Sequence, residues 1–157
     1  MIRVLFVCMG NICRSPMAEA VFIEQVKQAG LSKQFKIDSA GTIDWHKGER
    51  AHRGTLEVLQ RNKIDYNGRS RPLTQRDLDD FDYIVVMDKD NLRDAQSIFG
   101  RHDPRLTMFM EYANKAGLTD VEEVPDPYYT GGFDEVYELV TLGGQALLAH
   151  IREHDLG

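Results

Sequence analysis

The sequence predicts a single α/β domain spanning residues 1–157, with a central, mostly parallel sheet of about four strands and helices on both faces. Short apolar runs alternate along the chain with segments of helical periodicity. The run at residues 83–87 is continuous, apolar and rich in β-branched residues, which is typical of a strand covered on both faces. A length of 157 residues with 42% hydrophobic and 28% charged residues is that of one ordinary globular domain.

The first half of the chain predicts two strands and two helices. Residues 3–7 are expected to form the first strand, and a helix is expected from about Ser15, with Pro16 at its first position, where a missing N–H costs nothing. Residues 35–39 are predicted as the second strand and 54–62 as the second helix. A short extended piece at 65–66 is a candidate strand, and Thr74 is expected to cap a short helix that ends at Asp80.

The second half continues the alternation of strand and helix. After the strand at 83–87 we expect a helix over 91–99, a last strand over 105–109 and a terminal amphipathic helix from about Phe133. Residues 111–132 show few periodic signals and are expected to be irregular. Because the carboxyl ends of parallel strands meet at one rim, the loops after residues 7, 39 and 87 should lie together there.

Composition excludes several classes of protein. A net charge of −6 argues against broad nucleic-acid binding, and no apolar run approaches the roughly 20 residues of a membrane span. Two cysteines cannot form a secreted disulfide scaffold, and five scattered histidines lack zinc-ligand spacing, so we expect no metal. The first residues are too short for a secretory signal. We expect a cytoplasmic protein, although the sequence leaves open secretion without a signal peptide.

The segment from Cys8 to Pro16 has the composition of a loop that binds a tetrahedral oxyanion. Gly10 and Asn11 tolerate positive φ, so the loop can curl and aim its N–H groups inward at the start of a helix. Arg14 adds a guanidinium fork for two phosphoryl oxygens. Helix N-termini and cations also lower a thiol pKa, so Cys8 is a candidate nucleophile toward a phosphate monoester.

Phosphoryl transfer to sulfur also needs a general acid for the leaving oxygen, and Asp126 is the best candidate. Prolines on both sides stiffen its backbone, and two tyrosines follow that could line a cleft. No clear strand precedes Asp126, so the pattern does not place it on the rim. The hydroxyl of Ser15 either caps the first helix or donates to the Cys8 thiolate.

Together these residues resemble the low-molecular-weight protein tyrosine phosphatases. The resemblance covers essentially the whole chain and rests on four motifs: V-C-x-G-N-I-C-R-S-P-M-A-E at the first loop, S-A-G-T at 39–42, D-Y-I-V-V-M-D at 82–88 and D-P-Y-Y at 126–129. Residues 66–71 lack the histidines that animal members use to buttress the loop, which favours a bacterial type.

The resemblance implies a role for each matching residue. Cys8 would be the nucleophile that forms a cysteinyl-phosphate, Arg14 the phosphate-binding arginine, and Asp126 the acid that later serves as base for water. Ser15 would support the thiolate, while Asn11 and Ser39 would hold the loop in shape. The remaining loop positions are Met9, Gly10, Ile12 and Cys13. Cys13 matches a cysteine that can form a reversible disulfide with Cys8, and no metal or organic cofactor is implied.

The resemblance also implies an aromatic substrate pocket. Trp45 would help to select the substrate ring, and Tyr128 and Tyr129 would form the opposite wall. Met9 departs from the residue that many members carry, so the pocket preference could differ slightly. Ordinary exposure for Trp45 and core packing for both tyrosines are the competing interpretations.

Four functions are compatible with such a fold, and we expect phosphotyrosine hydrolysis. A thioredoxin-coupled arsenate reductase needs relay cysteines, and none follows Cys13. A non-catalytic phosphate-binding module is disfavoured because Cys8, Arg14 and Asp126 are all present. A protein-arginine phosphatase is associated with a small residue such as threonine where Ile12 stands. The expected partners are tyrosine-phosphorylated proteins and, as an open alternative, a cognate tyrosine kinase.

Overall fold

The computed structural model of the chain describes residues 1–156 and contains four parallel strands in one sheet. They are β1 (Ile2–Cys8), β2 (Phe35–Gly41), β3 (Tyr83–Val86) and β4 (Leu106–Met108), in the order β2-β1-β3-β4. The register pairs Cys8 with Gly41 and Val7 with Val86. The predicted α/β class, with a parallel sheet of four strands, is confirmed.

Seven α-helices accompany these strands within residues 1–156. They are α1 (Arg14–Gln28), α2 (Arg53–Arg61), α3 (Asp77–Asp80), α4 (Lys89–Phe99), α5 (Phe109–Lys115), α6 (Pro127–Thr130) and α7 (Phe133–His154), with a 3-10 turn at Ser32–Gln34. None of the helices in this part of the chain is long and apolar enough to cross a bilayer.

Alternation along β1 divides the core into two layers. Val4 and Phe6 belong to a cluster that also holds apolar residues of α1, α5 and α7. Leu5 and Val7 point to the other face, where they join the cluster that contains Phe99 of α4. Because successive side chains of a strand alternate between faces, a continuous apolar run is buried on both sides. Helices therefore cover both faces, as predicted.

The first helix starts earlier than predicted. It begins at Arg14, so Pro16 is its third residue rather than its first, and no side chain caps its N-terminus. Proline is still tolerated there, because the first four N–H groups of a helix have no intrahelical acceptor. Of the two roles open to Ser15, helix capping is therefore excluded.

Two short predictions in the middle of the chain are wrong. Residues 65–66 form no strand; the Tyr66 hydroxyl instead bonds to Glu19 of α1 at 2.9 Å. Thr74 does not cap α3, whose N-cap is Arg76, because the Thr74 hydroxyl donates to the Asp77 carboxylate at 3.3 Å and accepts no helix N–H. The expected irregular stretch 111–132 in fact holds most of α5 and all of α6.

Candidate active site

The loop after β1 closes on itself around Cys8. Asn11 has a φ of 56°, the left-handed conformation predicted for this position. The Cys8 side chain is buried at the floor of a pocket of about 130 Å³, which is also lined by Arg14, Asp126 and residues of the Trp45 loop. Of the three strand-end loops expected at one rim, those after β1 and β2 line this pocket together, and the loop after β3 reaches Arg14 through Asp88.

A buried hydrogen-bond chain fixes the shape of the loop. The Asn11 side-chain amide donates to the hydroxyls of Ser15 at 2.8 Å and Ser39 at 3.0 Å. Its oxygen accepts from the backbone N–H of Arg71 at 3.0 Å, which sets the orientation of the amide. With all of its polar groups satisfied, Asn11 holds the left-handed turn rigidly.

The same chain of hydrogen bonds orients the hydroxyl of Ser15 toward the sulfur of Cys8. Ser15 Oγ lies 3.0 Å from Cys8 Sγ and already accepts a proton from Asn11. Its own proton is therefore free to point at the sulfur, as a hydrogen-bond donor to Cys8. Of the two roles that the sequence left open for Ser15, the geometry favours donation to Cys8.

At its far end, this chain of hydrogen bonds reaches the buried carboxyl group of Glu19. Ser39 donates to Glu19 Oε1 at 2.6 Å, and Tyr66 donates to the same oxygen at 2.9 Å. Burial raises the pKa of Glu19 to about 7, against the opposing effect of these two donors. Sequence reasoning assigned no role to Glu19 or Tyr66, although Glu19 is the last residue of the first-loop motif and lies among the buried residues of α1.

Arg14 is buried between two carboxylates from distant loops. Its Nη1 donates to Asp88 at 2.6 Å and to the carbonyl of Val124 at 3.0 Å, while its Nη2 lies 3.5 Å from Asp126. Burial alone would lower the pKa of Arg14, but Cys8, Asp88 and Asp126 raise it above its usual value. The guanidinium is therefore permanently charged and held in one orientation.

Asp88 was missed as a site residue, although its loop was expected at the rim. It lies two residues after the end of β3 and caps α4, with one oxygen accepting from the N–H of Asn91 at 2.8 Å and the other from Arg14. Asp88 therefore orients the guanidinium of Arg14 and is not among the residues that line the pocket.

Asp126 caps α6 and faces the arginine. One carboxylate oxygen accepts from the Tyr128 N–H at 3.1 Å, and the other lies 3.5 Å from Arg14 Nη2. The predicted stiffening by flanking prolines agrees with this, since Pro127 is the first residue of α6. The carboxylate thus lines the same pocket as Cys8.

Cys13 has a different environment from Cys8 although the two share one loop. Both are buried free thiols. Burial, reinforced by the charges of Cys8 and Asp126, raises the pKa of the Cys13 thiol to about 12. Cys13 therefore remains protonated near neutral pH and is not a competing nucleophile.

Aromatic side chains form the mouth of the pocket. Trp45 is 78% exposed, Tyr129 71% and Tyr128 50%, and all three line the pocket. His46, which the sequence did not single out, lies between these walls: its ring is 6.2 Å from that of Tyr128 and packs on Gly10. Core packing is thus excluded for both tyrosines.

A larger cleft of about 720 Å³ lies elsewhere, next to Tyr83, Arg105 and His150. Two of its polar side chains are already paired: Tyr83 bonds to Asp155, and Arg105 pairs at 2.9 Å with Asp103, which is outside the lining. It contains no nucleophile with a facing acid. Among residues 1–156, no group of three or more His, Cys, Asp or Glu side chains is arranged to hold a metal ion.

Comparison with known proteins shows similarity over nearly the whole chain. The family model described as low molecular weight phosphotyrosine protein phosphatase matches residues 3–155. The low molecular weight protein-tyrosine-phosphatase YfkJ of Bacillus subtilis is 46% identical over 155 residues, covering 98% of this chain and 97% of YfkJ. PtpA of Staphylococcus epidermidis is 41% identical over 151 residues, covering 96% of this chain and 94% of PtpA.

Solved structures show the same relationship. The crystal structure of Bacillus subtilis YfkJ superposes with a TM-score of 0.94 at 44% identity, covering 99% of this chain and 97% of the other. The structure of DARP, drosophila arginine phosphatase, superposes with a TM-score of 0.86 at 31% identity, covering 97% and 99%.

Proposed function

The chain belongs to the low-molecular-weight phosphotyrosine protein phosphatase family, and from that premise we propose that Cys8, Arg14 and Asp126 carry its hydrolysis of phosphotyrosine. The observation that carries the assignment is their juxtaposition: a buried thiol with a hydroxyl donor at 3.0 Å, and an arginine that contacts the facing carboxylate at 3.5 Å. These are a nucleophile, an anion clamp and an acid around one pocket.

In the proposed first step the Cys8 thiolate attacks phosphorus. The S–P bond forms as the P–O bond to the tyrosine breaks, and protonated Asp126 gives its proton to the leaving phenolate oxygen. The loop N–H groups and the Arg14 fork hold the equatorial oxygens, where charge is spread in the transition state.

In the second step water attacks the cysteinyl-phosphate. Asp126, now ionised, accepts a proton from the water as the new O–P bond forms and the S–P bond breaks. Inorganic phosphate leaves, and the Ser15 hydroxyl stabilises the departing thiolate. Met9, Gly10, Ile12 and Cys13 supply the loop backbone around the phosphoryl group, and the network through Asn11 and Ser39 keeps it in register.

The test compares Cys8→Ser and Asp126→Ala with Asp120→Ala, which removes an exposed carboxylate from the same acidic segment. With p-nitrophenyl phosphate, Cys8→Ser should abolish turnover. Asp126→Ala should slow turnover of aryl phosphates by about 10²- to 10⁴-fold, the usual contribution of general acid–base catalysis. It should still form a phosphoenzyme visible by mass spectrometry, because p-nitrophenolate leaves without protonation. Full activity in Cys8→Ser would overturn the mechanism.

Tyrosine is the proposed substrate residue rather than arginine. The drosophila arginine phosphatase shares the fold at 31% identity, whereas the relatives at 46% and 41% identity are named protein-tyrosine-phosphatases. Ile12 lines the pocket where a small residue is associated with arginine specificity. A matched pair of phosphotyrosine and phosphoarginine peptides tests this choice, and faster hydrolysis of phosphoarginine would reverse it.

The proposed partners are tyrosine-phosphorylated proteins in the cytoplasm. Both cysteines are free, and a thiolate nucleophile needs the reducing conditions of that compartment. A tyrosine kinase must supply such substrates, and a cognate kinase is part of the proposal. Capture of phosphoproteins by Asp126→Ala, which binds but turns over slowly, would identify them.

A further inference from the structure

Two exposed arginines face each other beside the phosphate loop. Arg50 and Arg69 form an isolated antiparallel bridge, next to the bond from the N–H of Ser70 to the carbonyl of Glu49 at 2.8 Å. No backbone hydrogen bond joins the two arginines themselves in the described residues. In such a non-hydrogen-bonded antiparallel pair, the two side chains lie closer together than in a hydrogen-bonded pair. Like charges directly opposite each other destabilise the pairing.

These arginines are exceptional in this chain. Nine of the twelve arginines have a carboxylate oxygen within 3.4 Å, and the other three within residues 1–156 are Arg50, Arg69 and Arg152. Carboxylates outnumber lysines and arginines by 25 to 19, so partners are plentiful. Arg50 and Arg69 thus occupy paired backbone positions without a carboxylate partner, and Arg69 donates to the carbonyl of Gly48 at 3.4 Å. The two arginines make this a locally positive part of an acidic protein.

The arginine pair is anchored to the phosphate loop. The Ser70 hydroxyl donates to the carbonyl of Gly10 at 3.1 Å, and the N–H of Gly48 donates to the carbonyl of Ser70 at 2.8 Å. From these bonds and ordinary backbone dimensions, the Cα of Arg69 lies within about 10 Å of the Gly10 carbonyl. The segment that carries Arg50 also carries Trp45 and His46 of the pocket wall.

We propose that Arg50 and Arg69 form an anion subsite for the substrate protein, which binds an acidic group about three residues from the phosphotyrosine. The inference rests on the proposed function and names a substrate class for it. The distance above is an upper limit of about 10 Å, which corresponds to at most about three residues of an extended peptide that rises about 3.3 Å per residue. The planar carboxylate of Asp or Glu and a tetrahedral second phosphoryl group each present two oxygens to a guanidinium fork.

Three peptides with one phosphotyrosine test the proposal. One has glutamates at the flanking positions, one has glutamines, and one has glutamines plus a single phosphoserine three residues from the phosphotyrosine. At low salt, kcat/KM of the wild type should be about tenfold higher for at least one of the two anionic peptides than for the glutamine peptide. Preference for the glutamate or the phosphoserine peptide identifies the source of the anion. The advantage should shrink at high salt, because exposed charges are screened.

The variant R50E/R69E should lose this advantage and keep its activity on p-nitrophenyl phosphate. The control R152E/K33E makes the same change in net charge with the third unpartnered arginine and an exposed lysine. It should behave as the wild type. Equal rates for the three peptides in the wild type, an equal loss in the control, or a matching loss on p-nitrophenyl phosphate would each overturn the subsite. Absence of any wild-type turnover of p-nitrophenyl phosphate would instead contradict the proposed function.

Discussion

Glu19 is the residue whose environment departs most from what its chemistry prefers. It is buried on α1 and receives two neutral donors, the hydroxyls of Ser39 and Tyr66. Neutral hydroxyls offset the cost of burying a charged carboxylate less than a cation does. Burial therefore raises the pKa of Glu19 to about 7. The carboxyl group that terminates the loop network therefore changes charge near neutral pH.

This environment predicts a pH-dependent stability. Because the folded pKa lies above the ordinary value of 4.5, the folded state binds the proton more tightly than the unfolded state does. The contribution of protonated Glu19 to the free energy of unfolding is fully present below pH 4.5 and is lost as the pH rises through about 7. The neutral isostere Glu19→Gln should therefore be more stable than the wild type at pH 8, by up to about 3 kcal/mol, and similar to it at low pH.

Urea unfolding at pH 5 and pH 8 measures this difference, with Glu153→Gln on the exposed surface of α7 as control. The control should follow the wild type at both values. A Glu19→Gln variant that is less stable than the wild type at pH 8 would contradict this prediction, because it would show that the ionised carboxylate stabilises the folded loop.

At the same residue scale, the sequence identified the groups that react but not the groups that orient them. Cys8, Arg14 and Asp126 could be predicted because the chemistry demands a nucleophile, a cation and an acid near a curled loop. Asp88 and Glu19 could not, since a carboxylate becomes an orienting partner only through the packing of loops that are distant in sequence. Arg14 and Asp88 are 74 positions apart, yet their atoms are 2.6 Å apart.

At the scale of elements, prediction succeeded where hydrophobic periodicity was long. The buried runs of β1 and β3 and the amphipathic stripe of α7 needed no tertiary information. Helices α5 and α6 span only seven and four residues, too few to establish a helical period. The predicted strand at 105–109 also absorbed Phe109, which is the first residue of α5.

The close contact between α5 and α7 depends on Gly143, which has no side chain. A Cβ at Gly143 would stand 2.6 Å from the end of Met110 and 2.8 Å from the ring of Phe109, both fully buried. Gly143→Ala should therefore destabilise the protein by about 1–3 kcal/mol, because overpacking outweighs the better helix propensity of alanine.

Gly144→Ala is the matched control on the same helix. Its Cβ would meet the flexible end of Gln25, which is able to move aside. The urea midpoint should fall more for Gly143→Ala than for Gly144→Ala. A Gly143→Ala variant as stable as the wild type would show that Met110 and Phe109 repack without cost.

At the scale of the whole molecule, the site is a product of sheet topology. The order β2-β1-β3-β4 puts the loop of Cys8 between the ends of β2 and β3, which deliver Ser39 and Asp88. The carbonyl of Met87 accepts from the N–H of Val124 at 2.9 Å, and this bond ties the segment of Asp126 to the rim. Sequence could not place Asp126 because no strand carries it there.

Since four separate segments meet at Arg14 and the loop, a ligand that bridges them should stabilise the entire fold. A ligand that binds only the folded state adds about 2.7 kcal/mol when present at 100 times its Kd. For a chain of this size, inorganic phosphate at that excess should raise Tm by about 5–10 °C. Calorimetry with and without phosphate measures the shift.

The dependence of this shift on Arg14 tests whether the loop and the rim act together. Arg14→Ala leaves Asp88 and Asp126 facing the anion without a cation, so it should abolish the shift. Arg14→Lys keeps the charge but not the fork, and should retain only part of it. Arg152→Ala removes an arginine far from the pocket and should keep the full shift. An undiminished shift in Arg14→Ala would mean that phosphate binds elsewhere, and that the buried arginine serves the packing of the rim and not the anion.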